Sequence, residues 1–354
     1  MLRLLALLGA AAALLPSARP RPARRAPPRM AAVDSTLIIQ NKGGGHGEIG
    51  YHLALQLAAK GTKVTILHEG PDKGKPPHNA YGDLASAGVE VVWREDLEDD
   101  VGCIGALGGA TFAAVVDNWS KSRDQIRPYA LLAKGMGVAH YAYVSSAGMY
   151  TPAKGEFGAI DEACATKSSG QRQAEELLAE LGLPYSYFRP QYIYGPKQGK
   201  SYLGFFFDRL SRGRAVPVPG DGRQSVTFTH AADNAAMICA ALGCEAAVGE
   251  AFNCATSSLL SYDELAGLCA KAAGADAKIE HYAPGAAADG FKFPFRDTPF
   301  FVSAAKAADK LGFEPQHNIA DDIAWYYQDN YVAQGGLEKE LDFAADDATL
   351  GVST

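Results

Sequence analysis

Apolar residues in this chain fall into short blocks separated by stretches with helical spacing. Residues 37–39 form a bounded apolar run, the pattern of a buried strand. Ile49, Leu53, Leu57 and Ala58 then recur on one helical face, Gly61 closes that helix, and 64–67 reads as a second strand. The rhythm continues with predicted strands at 89–93, 112–116, 141–144 and 185–188, and predicted helices at 126–136 and 174–181. Strand and helix in strict alternation predict an α/β fold with a doubly wound parallel sheet. Ligands of such sheets bind beyond the carboxyl ends of the strands. Asp117, Asn118, Ser145 and Ser146 fall at those ends.

The first crossover is rich in glycine. Gly44, Gly47 and Gly50 fit GxxGxxG, and Gly45, Gly47 and Gly50 fit GxGxxG. In such a turn the first glycine permits the tight bend and the second lets backbone approach a pyrophosphate. The third lets the helix pack on the strand. The helix N-terminus then offers unpaired N–H groups to phosphate. This makes the fold Rossmann-like. The candidate cofactor set is Gly44, Gly45, His46, Gly47, Ile49 and Gly50, with Asp117 and Asn118. The ligand expected is NAD(P), or the loop is an inherited one that binds nothing. The acid that would read the ribose falls on Glu69, with His68 at the competing position.

Charge narrows the function. The formal net charge is −7, and residues 1–32 carry six arginines and no acids, so removing them leaves −13. A body this acidic does not draw nucleic acid through its overall field; RNA contact needs a local basic patch. Residues 4–15 are apolar but too few to span a membrane. Pro16-Ser17-Ala18 suits the end of a signal peptide, and 19–29 is basic, proline-rich and transit-like. Together they read as a two-part leader for a plastid, with a plain secretory signal as the alternative. No membrane partner is expected. The acidic segment 336–354 has little pattern and is expected to fray. The six cysteines form no CxxC pair and read as buried thiols.

Three longer motifs make the chain recognisable: SSAGMY at 145–150, FRPQYIYGP at 188–196 and VPGDGRQSVTFTHAADNAA at 218–236. They resemble the extended short-chain dehydrogenases/reductases, in the sugar-nucleotide epimerase branch. That resemblance implies a nucleotide-binding domain over 33–195 and a smaller, discontinuous α/β substrate-type domain over 196–335. It also implies a catalytic Ser, Tyr and Lys. Ser146 matches the serine position. The tyrosine position of YxxxK falls on Lys167 and the lysine position on Gln171, within CATKSSGQRQAEELL, which holds no tyrosine. A lysine cannot run the phenol's proton relay in its cationic form. Ordinary epimerase or reductase chemistry is therefore not expected, and Ser146 reads as readily as a strand-end serine bonded to backbone.

The departures point to a subfamily. GGHGEIG at 44–50, KPPHNAYGDLASAGVEVVW at 75–93, FFDRL at 206–210, FNC at 252–254 and FPFR at 293–296 are similar to the chloroplast stem-loop binding proteins. The resemblance implies plastid RNA binding, endoribonuclease action on stem-loops with a divalent metal such as Mg, and association with ribosomes or transcription complexes. A homo-oligomer is expected. Lys197, Lys200, Arg209, Arg212, Arg214 and Arg223, interleaved with Tyr202 and Phe205, Phe206 and Phe207, form the candidate RNA stretch. The same stretch also reads as a nucleotide-phosphate contact, or as core aromatics with solvated arginines. Metal ligands stay unassigned, with Asp161, Glu162, His230 and Asp233 as the carboxylates and imidazole in view. The alternative function is an NAD(P)-dependent sugar-nucleotide epimerase, dehydratase or reductase.

Overall fold

The computed structural model describes residues 32–70, 81–153, 155, 158–256 and 258–352. The proposed leader and most of the 75–93 motif lie outside them. Six strands follow in chain order: β1 (Ser35–Gln40), β2 (Lys63–Glu69), β3 (Glu90–Arg94), β4 (Ala114–Asn118), β5 (His140–Val144) and β6 (Tyr185–Pro190). With a seventh strand, Glu250–Cys254, they form one parallel sheet in the order Glu250–Cys254, β6, β5, β4, β1, β2, β3. Leu37, Ile38 and Ile39 are fully buried, because helices cover both faces. Burying each such side chain contributes about 1.5–3 kcal/mol.

Every strand expected from the sequence is present in this sheet. The largest shift is in β4, which runs two residues past the expected end. Its Asp117 and Asn118 pair in register with Ile39 and Gln40 of β1. The chemistry at 117–118 therefore stands on rigid strand. The seventh strand was not expected, since EAFNC is short and half polar.

Helices α1 (Ile49–Ala59), α2 (Gly82–Ser86), α3 (Asp100–Ala106), α4 (Arg123–Met136) and α5 (Gly170–Glu180) fill the crossovers. Ser122 and Ser169 cap α4 and α5 by accepting from Gln125 N and Arg172 N. Next come α6 (Gly204–Leu210), α7 (Ala231–Ala241) and α8 (Tyr262–Ala273). α7 returns to pack on α1 on one sheet face, while α4 and α5 pack together on the other. A separate aromatic core, including Phe206, Phe207, Tyr262, Phe295 and Tyr326, holds the C-terminal layer together.

The tail corrects an expectation. Residues Ala344–Leu350 are helical, with Asp346 paired to Arg209 and Asp347 to Arg214. The acids look solvated when read locally because their partners lie more than 130 residues upstream. All six cysteines are free thiols, and all but Cys164 are buried. Among the described residues no helix is long and apolar enough to cross a membrane.

Candidate functional site

The glycine turn leaves the end of β1, and its own chain fills much of it. Gln40 Oε1 accepts from Gly50 N at 3.2 Å and from Asn118 Nδ2 at 2.9 Å. Gln40 Nε2 donates to Gly47 O at 3.2 Å and to Glu48 Oε2 at 3.0 Å. A Cβ at Gly50 would meet Ile38 Cγ2 at 2.9 Å, so this glycine permits the close helix–strand contact. Gly47, at φ 53°, lies under the segment 197–199: a Cβ there would meet Lys197 O and Gly199 N at 2.8 Å. Glu48 N donates to Lys197 O at 3.0 Å, and a Cβ on Gly45 would be 2.5 Å from Tyr202 Oη. Pro196 to Tyr202 thus forms a strap across the glycine turn. His52 Nε2 holds its root at Pro196 O, 2.9 Å away.

The far corner, where β2 ends, is packed with side chains. His68 is buried 3.3 Å from Glu48 Oε2 and 3.0 Å from Tyr81 Oη, and its ring lies 4.4 Å from that of Trp93. Tyr81 Oη also donates to Glu48. Burial, then the Glu48 charge, pushes the Tyr81 phenol far above its ordinary range. Glu69 accepts from Trp119 Nε1 at 2.9 Å. Asp117 accepts from Trp119 N, Ser120 N, Ser120 Oγ and Tyr141 Oη at 2.6–3.1 Å, bracing the strand end. Asn118 reaches Gly47 O at 3.4 Å.

The opposite end of the groove stays open, as a cavity of about 400 Å³ between the glycine turn and the start of α5. Lys42, overlooked in the sequence, is 2% exposed here. Its ammonium donates to Val144 O, lies 3.4 Å from Tyr143 Oη and sits 4.4 Å from that ring's centroid. Burial lowers its pKa to about 7, against the pull of Asp117. His46 bonds Ser145 O at 2.8 Å, and burial with the Lys42 charge lowers its pKa to about 3. The one available signal was a lysine directly before the first glycine. Ser146 Oγ accepts from Gly148 N at 3.1 Å and caps the turn Ala147–Met149, which is the backbone role. Lys167 is exposed and Gln171 lines the cavity.

Family comparison fits this geometry. The model for the NAD dependent epimerase/dehydratase family matches residues 43–255. The chloroplast stem-loop binding protein of 41 kDa b from Arabidopsis thaliana is 32% identical over 87% of this chain and 82% of its own length. The chain belongs to this family, in its stem-loop binding branch. A dTDP-glucose 4,6-dehydratase from Streptomyces griseus is 29% identical over 46% of this chain and 49% of its own. Among solved structures, the dTDP-glucose 4,6-dehydratase of Bacillus anthracis in complex with NAD aligns at TM-score 0.66. It has 16% identity, over 84% of this chain and 97% of that one. The UDP-glucose 4-epimerase of Thermotoga maritima with UDP-glucose gives 0.65 and 18% identity, over 83% and 99%. At these identities the structures show the fold.

The stretch 197–223 does not form one basic–aromatic platform. Phe206 and Phe207 are fully buried. Arg209 stacks on Phe205 at 3.5 Å and donates to Asp346 at 2.9 Å. Arg212 donates to the carbonyls of Gly336, Leu337 and Lys339 at 2.7–3.2 Å, and Arg214 pairs with Asp347. These three arginines hold the C-terminal segment. Lys197 lies 4.5 Å from the Tyr51 ring centroid, within the strap. Lys200, exposed and 4.7 Å from the Tyr202 ring centroid, and Arg223, whose side chain is 88% exposed, remain outward.

Of the metal candidates, Asp233 accepts from Gln316 N and His317 N, and Glu162 accepts from Asn253 N. His230 Nδ1 accepts from Ala232 N, capping α7. His230, His317 and Asp322 bring ligand atoms within 4.8 Å of one another. The two imidazoles stack at 3.7 Å and 19°, so their in-plane lone pairs lie in nearly parallel planes and do not converge on one ion.

Proposed function

We propose that this protein binds stem-loop RNA in a plastid, on an epimerase scaffold that has lost the epimerase proton relay. The observation that carries the reading is the start of α5, where Lys167 and Gln171 stand in place of the phenol and its lysine. With no phenol there, the scaffold lacks the family's usual agent for proton transfer beside a nicotinamide. The groove as arranged does not fit NAD(P) either. Glu48 N is bonded to Lys197 O, Gly47 lies under 197–199, and Glu69 is turned to Trp119. A dinucleotide would have to displace the strap, so no step is derived through it.

The chloroplastic stem-loop binding relative supports RNA as the ligand and the plastid as the compartment. The acidic body confines RNA to a local patch. Lys121 and Lys200 offer one, on either side of the contact between Gly45 and Tyr202. The test is retention of a stem-loop RNA by the mature chain across a salt series. Lys121→Gln with Lys200→Gln should weaken binding and reduce the salt slope by about 1.5–2. A parallel panel of dTDP- and UDP-sugars with NAD should show no turnover; turnover with RNA left unbound would overturn the reading. Defined RNA products that appear with Mg²⁺ and vanish with EDTA would establish the finer endoribonuclease reading. A native N-terminus near residue 30 is expected from the plastid leader, and one at Met1 would remove it.

A further inference from the structure

The open end of the groove is electrostatically one-sided. Its lining includes Lys42, His46, Lys121, Ser169, Gly170 and Gln171, and among the described residues no carboxylate. Lys42 is a buried ammonium whose bonded partners are the Val144 carbonyl and the Tyr143 hydroxyl. Among the described residues neither Lys42 nor Lys121 has a carboxylate within 4.0 Å. A buried cation without a counter-ion is unfavourable, and an incoming anion relieves it.

The first turn of α5 points the same way. This helix has eleven residues. Ser169 Oγ takes the Arg172 amide, and Ser169 O takes that of Gln173. The Gly170 and Gln171 amides, at the cavity, have no intrahelical acceptor and carry the positive end of the helix dipole. Gly170 is built for this approach: a Cβ there would collide with Lys121 O and would lie 3.3 Å from Ser122 Cα. The absence of a side chain at 170 is what lets Lys121 reach the rim.

We propose that this cavity binds a terminal phosphate group: inorganic phosphate, or the end phosphate of a nucleotide or RNA strand, seated between the Lys42 and Lys121 ammonium groups and the α5 amides. The site does not depend on the RNA reading, because inorganic phosphate alone tests it. It also does not require the strap to move, since no residue of 196–202 is among those lining the cavity.

The experiment is calorimetric titration of the full mature chain with inorganic phosphate at pH 7, ionic strength held constant with chloride. Saturable binding is expected. Lys121→Gln, on the exposed rim, should raise Kd about tenfold by removing one charge-assisted contact. Lys42→Met should abolish saturation; if that variant fails to fold, the Lys121→Gln result decides alone. An unchanged Kd in Lys121→Gln, or no saturation in the wild type, overturns the proposal. Competition by a 5′-phosphorylated but not a 5′-hydroxyl oligoribonucleotide assigns the ligand to a strand end. Saturable phosphate binding without that competition assigns it to a small phosphate. RNA retention with no phosphate binding would sink this site and leave the RNA reading standing.

Discussion

The two ends of one groove have gone separate ways. At the β2 end, Glu48, His68, Tyr81 and the strap occupy the space that the glycine turn was shaped to offer. At the α5 end, Lys42, His46 and Gln171 surround a cavity that remains. Both ends derive from the same β-α-β geometry. Backbone glycines thus record which approach the fold permits, and the side chains decide what makes that approach. Here the chain's own carbonyl at Lys197 makes it at one end.

Two glycines allow the sharpest test of that contrast. Gly43 and Gly47 both have positive φ, 65° and 53°. A Cβ on Gly43 has open space, while one on Gly47 meets strap backbone at 2.8 Å. Gly43→Ala should therefore carry the conformational penalty alone, about 1–3 kcal/mol for a φ/ψ of 65°/−167° that only glycine adopts readily. Gly47→Ala adds steric overlap and should lose about 2–5 kcal/mol in urea denaturation. Equal losses would mean that the strap does not rest on the turn.

Acid should act next, through the buried histidines. Burial holds His230 near pKa 3 and His140 near 4, both below the ordinary 6.5. Unfolded chains then bind more protons than folded ones below pH 6.5, so stability is full above 6.5 and falls toward pH 4. Each histidine contributes a loss of up to about 2 kcal/mol between pH 6.5 and 5. His230 lies against Gly195, next to the strap's root, whereas His140 stands at the N-terminal end of β5, an interior strand. His140→Gln and His230→Gln should each flatten the pH dependence. Only His230→Gln should slow the acid-induced hydrogen exchange of amides 197–202. Equal slowing by both would separate the strap from His230.

The last pair of tests lies outside the groove and sets its baseline. Asp346→Ala leaves the half-buried Arg209 unpaired and should lose about 1.5–3 kcal/mol. Asp347→Ala, at a more exposed pair, should lose under about 1 kcal/mol. Neither should change phosphate or RNA binding. A loss of RNA affinity in either variant, with the fold intact, would return Arg209 and Arg214 to the RNA surface.

The sheet was legible because buried parallel strands are short apolar blocks, and because glycine spacing marks the first crossover. The missing phenol at Lys167 was legible for the same reason: it depends on one position before one helix. The strap was not, since Lys197 and Glu48 meet across 149 residues of chain. The arginines at 209, 212 and 214 suggested phosphate because a local window cannot show Asp346, Asp347 or the carbonyls near 337. Lys42 reads as an ordinary surface lysine until the fold lays it on Val144 O.

The seventh strand has a consequence for how the chain is made. β6 ends at Pro190, and the partner for its outer edge, Glu250–Cys254, is translated about 60 residues later. At 5–20 residues per second, a nascent chain shows that open edge for on the order of 3–13 s. The edge is not bare of defence. Arg189, opposite Asn253 in the finished sheet, is held by Glu175 of α5, which is made earlier. A charge fixed on an unpaired strand discourages intermolecular pairing. Fragments ending before residue 250 keep that edge permanently unpaired.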